Sequence, residues 1–105
     1  MRRILLVEDN LGDARLAQEM LAESSDFEAD VQCVGRLAQA IEVLRAQPVE
    51  LVLLDLTLPD CHGLEALKQL QALAKDAPII ILSGQSDKAV ALEALKHGAQ
   101  DYLIK

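Results

Sequence analysis

Three short apolar runs constrain the fold of this chain most: Ile4 to Val7, Leu51 to Leu54 and Ile79 to Leu82. None alternates polar with apolar residues, as a strand with one wet face would. Unbroken runs of four aliphatic residues suit parallel strands covered on both faces. Two weaker strands fit at Asp30 to Val34 and Tyr102 to Ile104, the first less apolar and therefore placed at a sheet edge. The stretches between them carry helical spacing. Leu37, Ala40, Ile41 and Leu44 follow the i, i+3, i+4, i+7 rule; Leu64, Leu67 and Leu70 follow it with some drift; Val90, Ala91, Ala94 and Leu95 repeat it. A first helix, Leu11 to Glu23, is less regular: Ala14, Ala17 and Leu21 line one face, and Leu16 with Met20 widens it. Pro48, Pro78 and Gly98 mark where helices stop. The order β-α-β-α-β-α-β-α-β, with right-handed crossovers, gives a doubly wound parallel α/β sheet.

At 105 residues, without repeats, low-complexity segments or Gly/Ser linkers, the chain reads as one domain, 1–105, short for an enzyme that encloses its own substrate. With 51% hydrophobic and 26% charged residues it is globular, and its 2% aromatics require an aliphatic core. A net charge of −7 argues against nucleic-acid binding, which needs a basic stripe to displace counterions. The apolar run at the N-terminus turns acidic at Glu8, too early for a signal peptide or membrane span, so the protein is expected in the cytoplasm. Its two cysteines read as free thiols, Cys33 in a core strand and Cys61 in a loop.

In open α/β sheets, ligands bind beyond the carboxyl ends of the strands. The first strand here ends in Glu8 and Asp9, the third in Asp55, the fourth in Ser83 and Gly84, and the fifth in Lys105. Three carboxylates on one rim repel one another unless a cation offsets their charge. An oxygen-only set with room for water and phosphate suits Mg²⁺, with Mn²⁺ as the second choice, better than zinc. The expected ligands are Asp9 and Asp55 directly, Glu8 through a water, and the main-chain carbonyl of Thr57. Asp55 then serves as a nucleophile for phosphoryl transfer, with the metal and Lys105 holding charge on the transferring oxygens and Ser83 donating to one of them.

These residues resemble a known family. Val7-Glu8-Asp9-Asn10, Leu53-Leu54-Asp55-Leu56-Thr57-Leu58-Pro59 with Gly63, Ile81-Leu82-Ser83-Gly84 and Asp101-Tyr102-Leu103-Ile104-Lys105 look like the receiver domain of bacterial two-component response regulators, chemotaxis regulators included. The resemblance spans the chain and implies a flavodoxin-like sheet of order 2-1-3-4-5. It further implies an acyl-phosphate on Asp55, a Mg²⁺ requirement, a histidine kinase or phosphotransfer protein as donor, and a downstream effector domain or protein. Ser83 and Tyr102 stand at the family's switch positions, and Thr57 and Gln85 at positions that influence acyl-phosphate lifetime. In such a domain the protein catalyses only its own phosphorylation and dephosphorylation.

One departure is a fifth helix that such domains carry after the lysine, where this chain stops. The expectation is a domain truncated after its fifth strand, with one sheet face guarded by the first helix alone. Apolar side chains of the first, third and neighbouring strands should then lie bare, favouring a homodimer or cover from a longer parent chain. Three other readings are weaker. A haloacid-dehalogenase-type hydrolase wants Asp-x-Asp, but the residue two after Asp55 is Thr57. A flavodoxin-like nucleotide binder would not put Glu8 and Asp9 where phosphate sits. A receiver-shaped docking module that takes no phosphate would have lost an acid or the lysine, and none is lost.

Overall fold

A computed structural model describes residues 2–22, 29–56, 58–61, 64–74, 76–84 and 88–104, without the side chains of Arg2, Leu11, Met20, Leu21, Ala22, Ala29 and Ile104. The elements run β1 Arg2–Val7, α1 Leu11–Ala22, β2 Ala29–Val34, α2 Leu37–Ala46, β3 Leu51–Asp55, α3 Leu64–Leu73, β4 Ile79–Ser83, α4 Lys88–Lys96 and β5 Asp101–Ile104. The strands form one sheet of order β2-β1-β3-β4-β5, and all four pairings are parallel. The apolar runs at 4–7, 51–54 and 79–82 fall on β1, β3 and β4, the three inner strands, and β2 lies at an edge as its composition suggests. Three strands begin earlier than the sequence pattern suggests. Arg2, Ala29 and Asp101 are recruited because each has a partner in register, respectively Ala29, Arg2 and Ile80.

The alternation of the pleat divides the strand side chains between two cores. Leu5, Val7, Val52, Leu54, Ile79 and Ile81 face α2, α3 and α4, which contribute Leu37, Ala40, Ala66, Leu67, Leu70, Ala91 and Ala94. Ile4, Leu6, Leu53 and Leu82 face α1, which contributes Ala14 and Ala17. Burying a Leu or Ile here is worth about 1.5–3 kcal/mol each. The α1 side chains described in this core are both small, Ala14 and Ala17.

The burial on this face corrects one expectation. Ile4, Leu6 and Leu53 are at most 3% exposed, so the centre of the α1 face is not bare. Among the described residues the opening lies toward the edges, where Val31, Leu51 and Ile80 are half-buried, Cys33 on β2 is exposed and Leu103 on β5 is 41% exposed. The apolar strip available for dimerisation is accordingly much narrower than four helices on five strands suggested. Two helix-face assignments also change: Leu16 on α1 and Val90 on α4 point outward, at 47% and 39% exposure. In each case the inward positions are held by alanines one turn or one residue away. Cys33 is exposed rather than core, because its strand is an edge and has a neighbour on one side only. The Leu21 and Met20 side chains lie outside the described residues.

Helix ends follow local chemistry. Asn10 caps α1, its Oδ1 accepting from the Asp13 N–H at 3.0 Å. Gly98 ends α4 with φ +105°, a conformation costly for any residue with a Cβ. Its N–H donates to Leu95 O at 3.2 Å and the next, from Ala99, to Ala94 O at 3.1 Å, the paired bonds of a Schellman motif. Gln71 of α3 completes the cap by donating to His97 O at 2.9 Å.

Candidate phosphoacceptor site

The carboxyl ends of β1, β3 and β4 lie side by side because those strands are adjacent and in register. β1 delivers Glu8 and Asp9. The Glu8 N–H continues the β1–β2 ladder by donating to Val34 O at 2.9 Å, which turns its side chain into the protein; the residue is 2% exposed. Its Oε1 accepts from the Asn10 N–H at 3.1 Å. Asp9 is exposed. Asp55, the last residue of β3, is 3% exposed.

One carboxylate oxygen from each of Glu8, Asp9 and Asp55 lies within 4.8 Å of the others. Glu8 and Asp55 are withdrawn from water, where carboxylates need hydrogen bonds or a cation beside them. An all-oxygen set at this spacing, open on the Asp9 side, matches a hard divalent ion that keeps several waters, as Mg²⁺ does. The three residues that would hold it were all visible at strand ends in the sequence.

Ser83 closes β4 beside this cluster. It is 3% exposed, and its Oγ has no hydrogen-bond partner among the described residues. Buried hydroxyls are nearly always satisfied, which sets this one apart among the described residues. Tyr102 pairs in register with Ile81, two residues before Ser83 and on the same face of the sheet. It is half-buried against the α2–α4 core. Thr57, Lys105 and Gln85, expected at or beside the site, lie outside the described residues.

Sequence reasoning missed Asp60. Its carboxylate reaches across to the start of α2, Oδ1 accepting from the Leu37 N–H at 2.8 Å and Oδ2 from the Ala38 N–H at 3.1 Å. Those bonds, with a smaller contribution from the Arg36 guanidinium, hold the Asp60 carboxyl below its ordinary range. A signal existed: α2 starts after Gly35-Arg36, neither a side-chain cap, and Arg36 makes no capping bond. The cap comes instead from 23 residues further on. Cys33, at the rim beside Glu8, has its thiol pKa raised, first by burial and then by the Glu8 charge.

In a doubly wound sheet of order 2-1-3-4-5 the acidic cluster lies at the carboxyl edge, where open α/β sheets bind their ligands. The chain belongs to the response regulator receiver domain family, whose model matches residues 4–105. It is therefore a receiver domain of two-component signalling, and the phosphate-independent docking module is not favoured. The chain is 36% identical to the regulatory protein LuxO of Vibrio cholerae over 95% of its own length, and 27% identical to the chemotaxis protein CheY of Thermotoga maritima over 99%. It spans 21% of that LuxO and 85% of that CheY. The phosphorylated cyanobacterial phytochrome response regulator RcpA superposes with a TM-score of 0.84 at 32% identity, covering 99% of this chain and 80% of RcpA. No helix among the described residues is long and apolar enough to cross a membrane.

Proposed function

We propose that the 105 residues form one receiver domain that accepts a phosphoryl group on Asp55 from a histidine kinase or phosphotransfer protein. The observation that carries this reading is the convergence of Glu8, Asp9 and Asp55 within 4.8 Å, with Asp55 buried at the end of an inner strand. An Asp55 carboxylate oxygen attacks phosphorus, the P–N bond of the donor phosphohistidine breaks, and the departing imidazole keeps the electron pair and takes up a proton. Asp55 is left as an acyl-phosphate.

Asp9 and Asp55 would bind Mg²⁺, or Mn²⁺, directly, with Glu8 acting through a water and the Thr57 main-chain carbonyl as a further ligand. A bound divalent ion supplies charge neutralisation at the transferring oxygens. Ser83 Oγ donates to one of those oxygens and Lys105 pairs with another. Filling the open Ser83 hydroxyl draws β4 toward the phosphate, and Tyr102, on the same face, follows into the space vacated. Near-complete switching needs about 5.5 kcal/mol of preference for one state, within reach of a dianion beside a metal and an ammonium. The domain thus acts only on its own phosphorylation and dephosphorylation. It passes its state to an effector, a separate protein or a further part of its own, in the cytoplasm, without binding nucleic acid or membrane itself.

Mass spectrometry after incubation with acetyl phosphate and Mg²⁺ tests the reading. One phosphoryl mass on the wild type and none on Asp55→Asn is expected, with weaker Mg²⁺ binding in Asp9→Ala. A phosphoryl mass persisting on Asp55→Asn, or unchanged Mg²⁺ affinity without Asp9, refutes the assignment.

A further inference from the structure

Three loops meet at the site, and Asp60 holds two of them together. The loop after β3 leaves Asp55, buries Leu56 and Leu58 at 4% and 0% exposure, and passes through Asp60, whose carboxylate grips the first two N–H groups of α2. The turn from β2 into α2 lies in turn against the β1 loop: a Cβ built on Gly35 would sit 3.7 Å from Asp9 Cα. That turn is further held by Val34 O accepting from the Glu8 N–H at 2.9 Å and by the Gly35 N–H donating to Gln39 Oε1 at 3.1 Å. The start of α2 is therefore braced on one side against Glu8 and Asp9 and tied on the other to the segment that follows Asp55. Because β2 does not border β3 in the sheet, the backbone ladder makes no such tie.

We infer that Asp60 is a positioning residue for phosphorylation, setting the loop after Asp55 against Asp9 through the N-terminus of α2. This rests on the reading of Asp9 and Asp55 as the metal and phosphoryl site. Asp60 touches neither reacting atoms nor metal ligands in this role. Its contribution is to keep the acids and the chain between Asp55 and Asp60 in one arrangement, so that binding a metal does not have to order them. Groups hydrogen-bonded directly to a metal ligand change metal affinity or activity about 10–100-fold when removed; Asp60 acts one contact further out, so the low end of that range is expected.

A local cap separates this role from simple helix capping. Arg36 occupies the N-cap position in extended conformation, φ −141° and ψ 151°, so Arg36→Asp can accept from the Ala38 or Gln39 N–H and cap α2 from within its own segment. Asp60→Ala, Asp60→Asn and the double variant Asp60→Ala/Arg36→Asp are compared with wild type by Mg²⁺ titration followed on backbone amides, by the rate of Asp55 labelling with acetyl phosphate, and by melting temperature. Asp60→Ala should lose about 10-fold in Mg²⁺ affinity and labelling rate, with Asp60→Asn, which keeps one acceptor, in between. The double variant should recover its melting temperature but neither functional quantity. Recovery of all three overturns the inference and leaves Asp60 a cap. So does wild-type labelling of Asp55 and Mg²⁺ affinity in Asp60→Ala. If Asp60→Ala does not fold, Asp60→Asn and the double variant carry the same comparison. Wild-type labelling at a residue other than Asp55 brings down the site reading itself, and the inference with it.

Discussion

Replacing Ser83 with alanine should move stability and activity in opposite directions. The Ser83 hydroxyl is 3% exposed and has no partner among the described residues. Leaving a buried hydroxyl unsatisfied costs about 1–3 kcal/mol, whereas deleting its oxygen leaves a void smaller than a methyl group and forfeits little packing. Ser83→Ala in the unphosphorylated protein should therefore be neutral to about 1 kcal/mol more stable, a rise of at most ~4–8 °C in Tm for a domain of this size. Phosphorylation should suffer, because one preorganised donor to the transferring oxygens is gone; such donors are worth up to about 100–1000-fold. Urea denaturation without Mg²⁺ measures the first quantity, and the rate of acetyl phosphate labelling the second. A loss of about 2 kcal/mol or more would show that the hydroxyl is bonded within the resting fold. Wild-type labelling kinetics would show that it never meets the phosphoryl group.

Tyr102→Ala should leave Asp55 labelling intact while blunting phosphorylation-dependent amide shifts on β4 and β5; a folded variant that cannot be labelled would make Tyr102 part of the transfer chemistry. Gly98→Ala should cost about 2–3 kcal/mol by denaturant titration, combining the price of a left-handed residue with the loss of the Gln71 bond, since its Cβ would fall 2.8 Å from Gln71 Nε2; a cost below about 0.5 kcal/mol would mean the α4 cap readily rearranges. Cys33, its thiol pKa raised by burial and by Glu8, holds less thiolate at pH 8 than a free cysteine and should react more slowly with iodoacetamide; Mg²⁺ should speed it by offsetting the Glu8 charge, and a metal-independent rate equal to that of a model thiol refutes this. Asp60 is held below its ordinary pKa, so its stabilisation is full above the unfolded carboxylate pKa and fades as pH falls through the folded value; the Tm gap between wild type and Asp60→Asn should accordingly shrink below about pH 4, and a constant gap would contradict the two N–H bonds.

Much of this protein is readable from residue order because its strongest signals are local. Four consecutive aliphatic residues can be buried on both faces only in an inner strand, and each of β1, β3 and β4 carries such a run. In a parallel sheet the residue after such a run must emerge at the carboxyl edge, so residue order alone puts Glu8, Asp9, Asp55 and Ser83 on one rim. The exposure of Leu16 and Val90 was not readable, because a helical period says which residues share a face but not how far the sheet beneath it extends. Nor was that of Cys33: composition put its strand at the sheet edge, but not how much of the side chain the neighbouring elements leave uncovered. How α1 covers the centre of its face and leaves Leu103 open depends on where two alanines let the helix settle. The cap on α2 is the clearest case. Residue order shows that Gly35-Arg36 leaves its N–H groups without a local acceptor, but the choice of Asp60, 23 residues away, belongs to tertiary structure, since only the packed sheet brings the loop after Asp55 within hydrogen-bond reach of a helix that begins beyond a different strand.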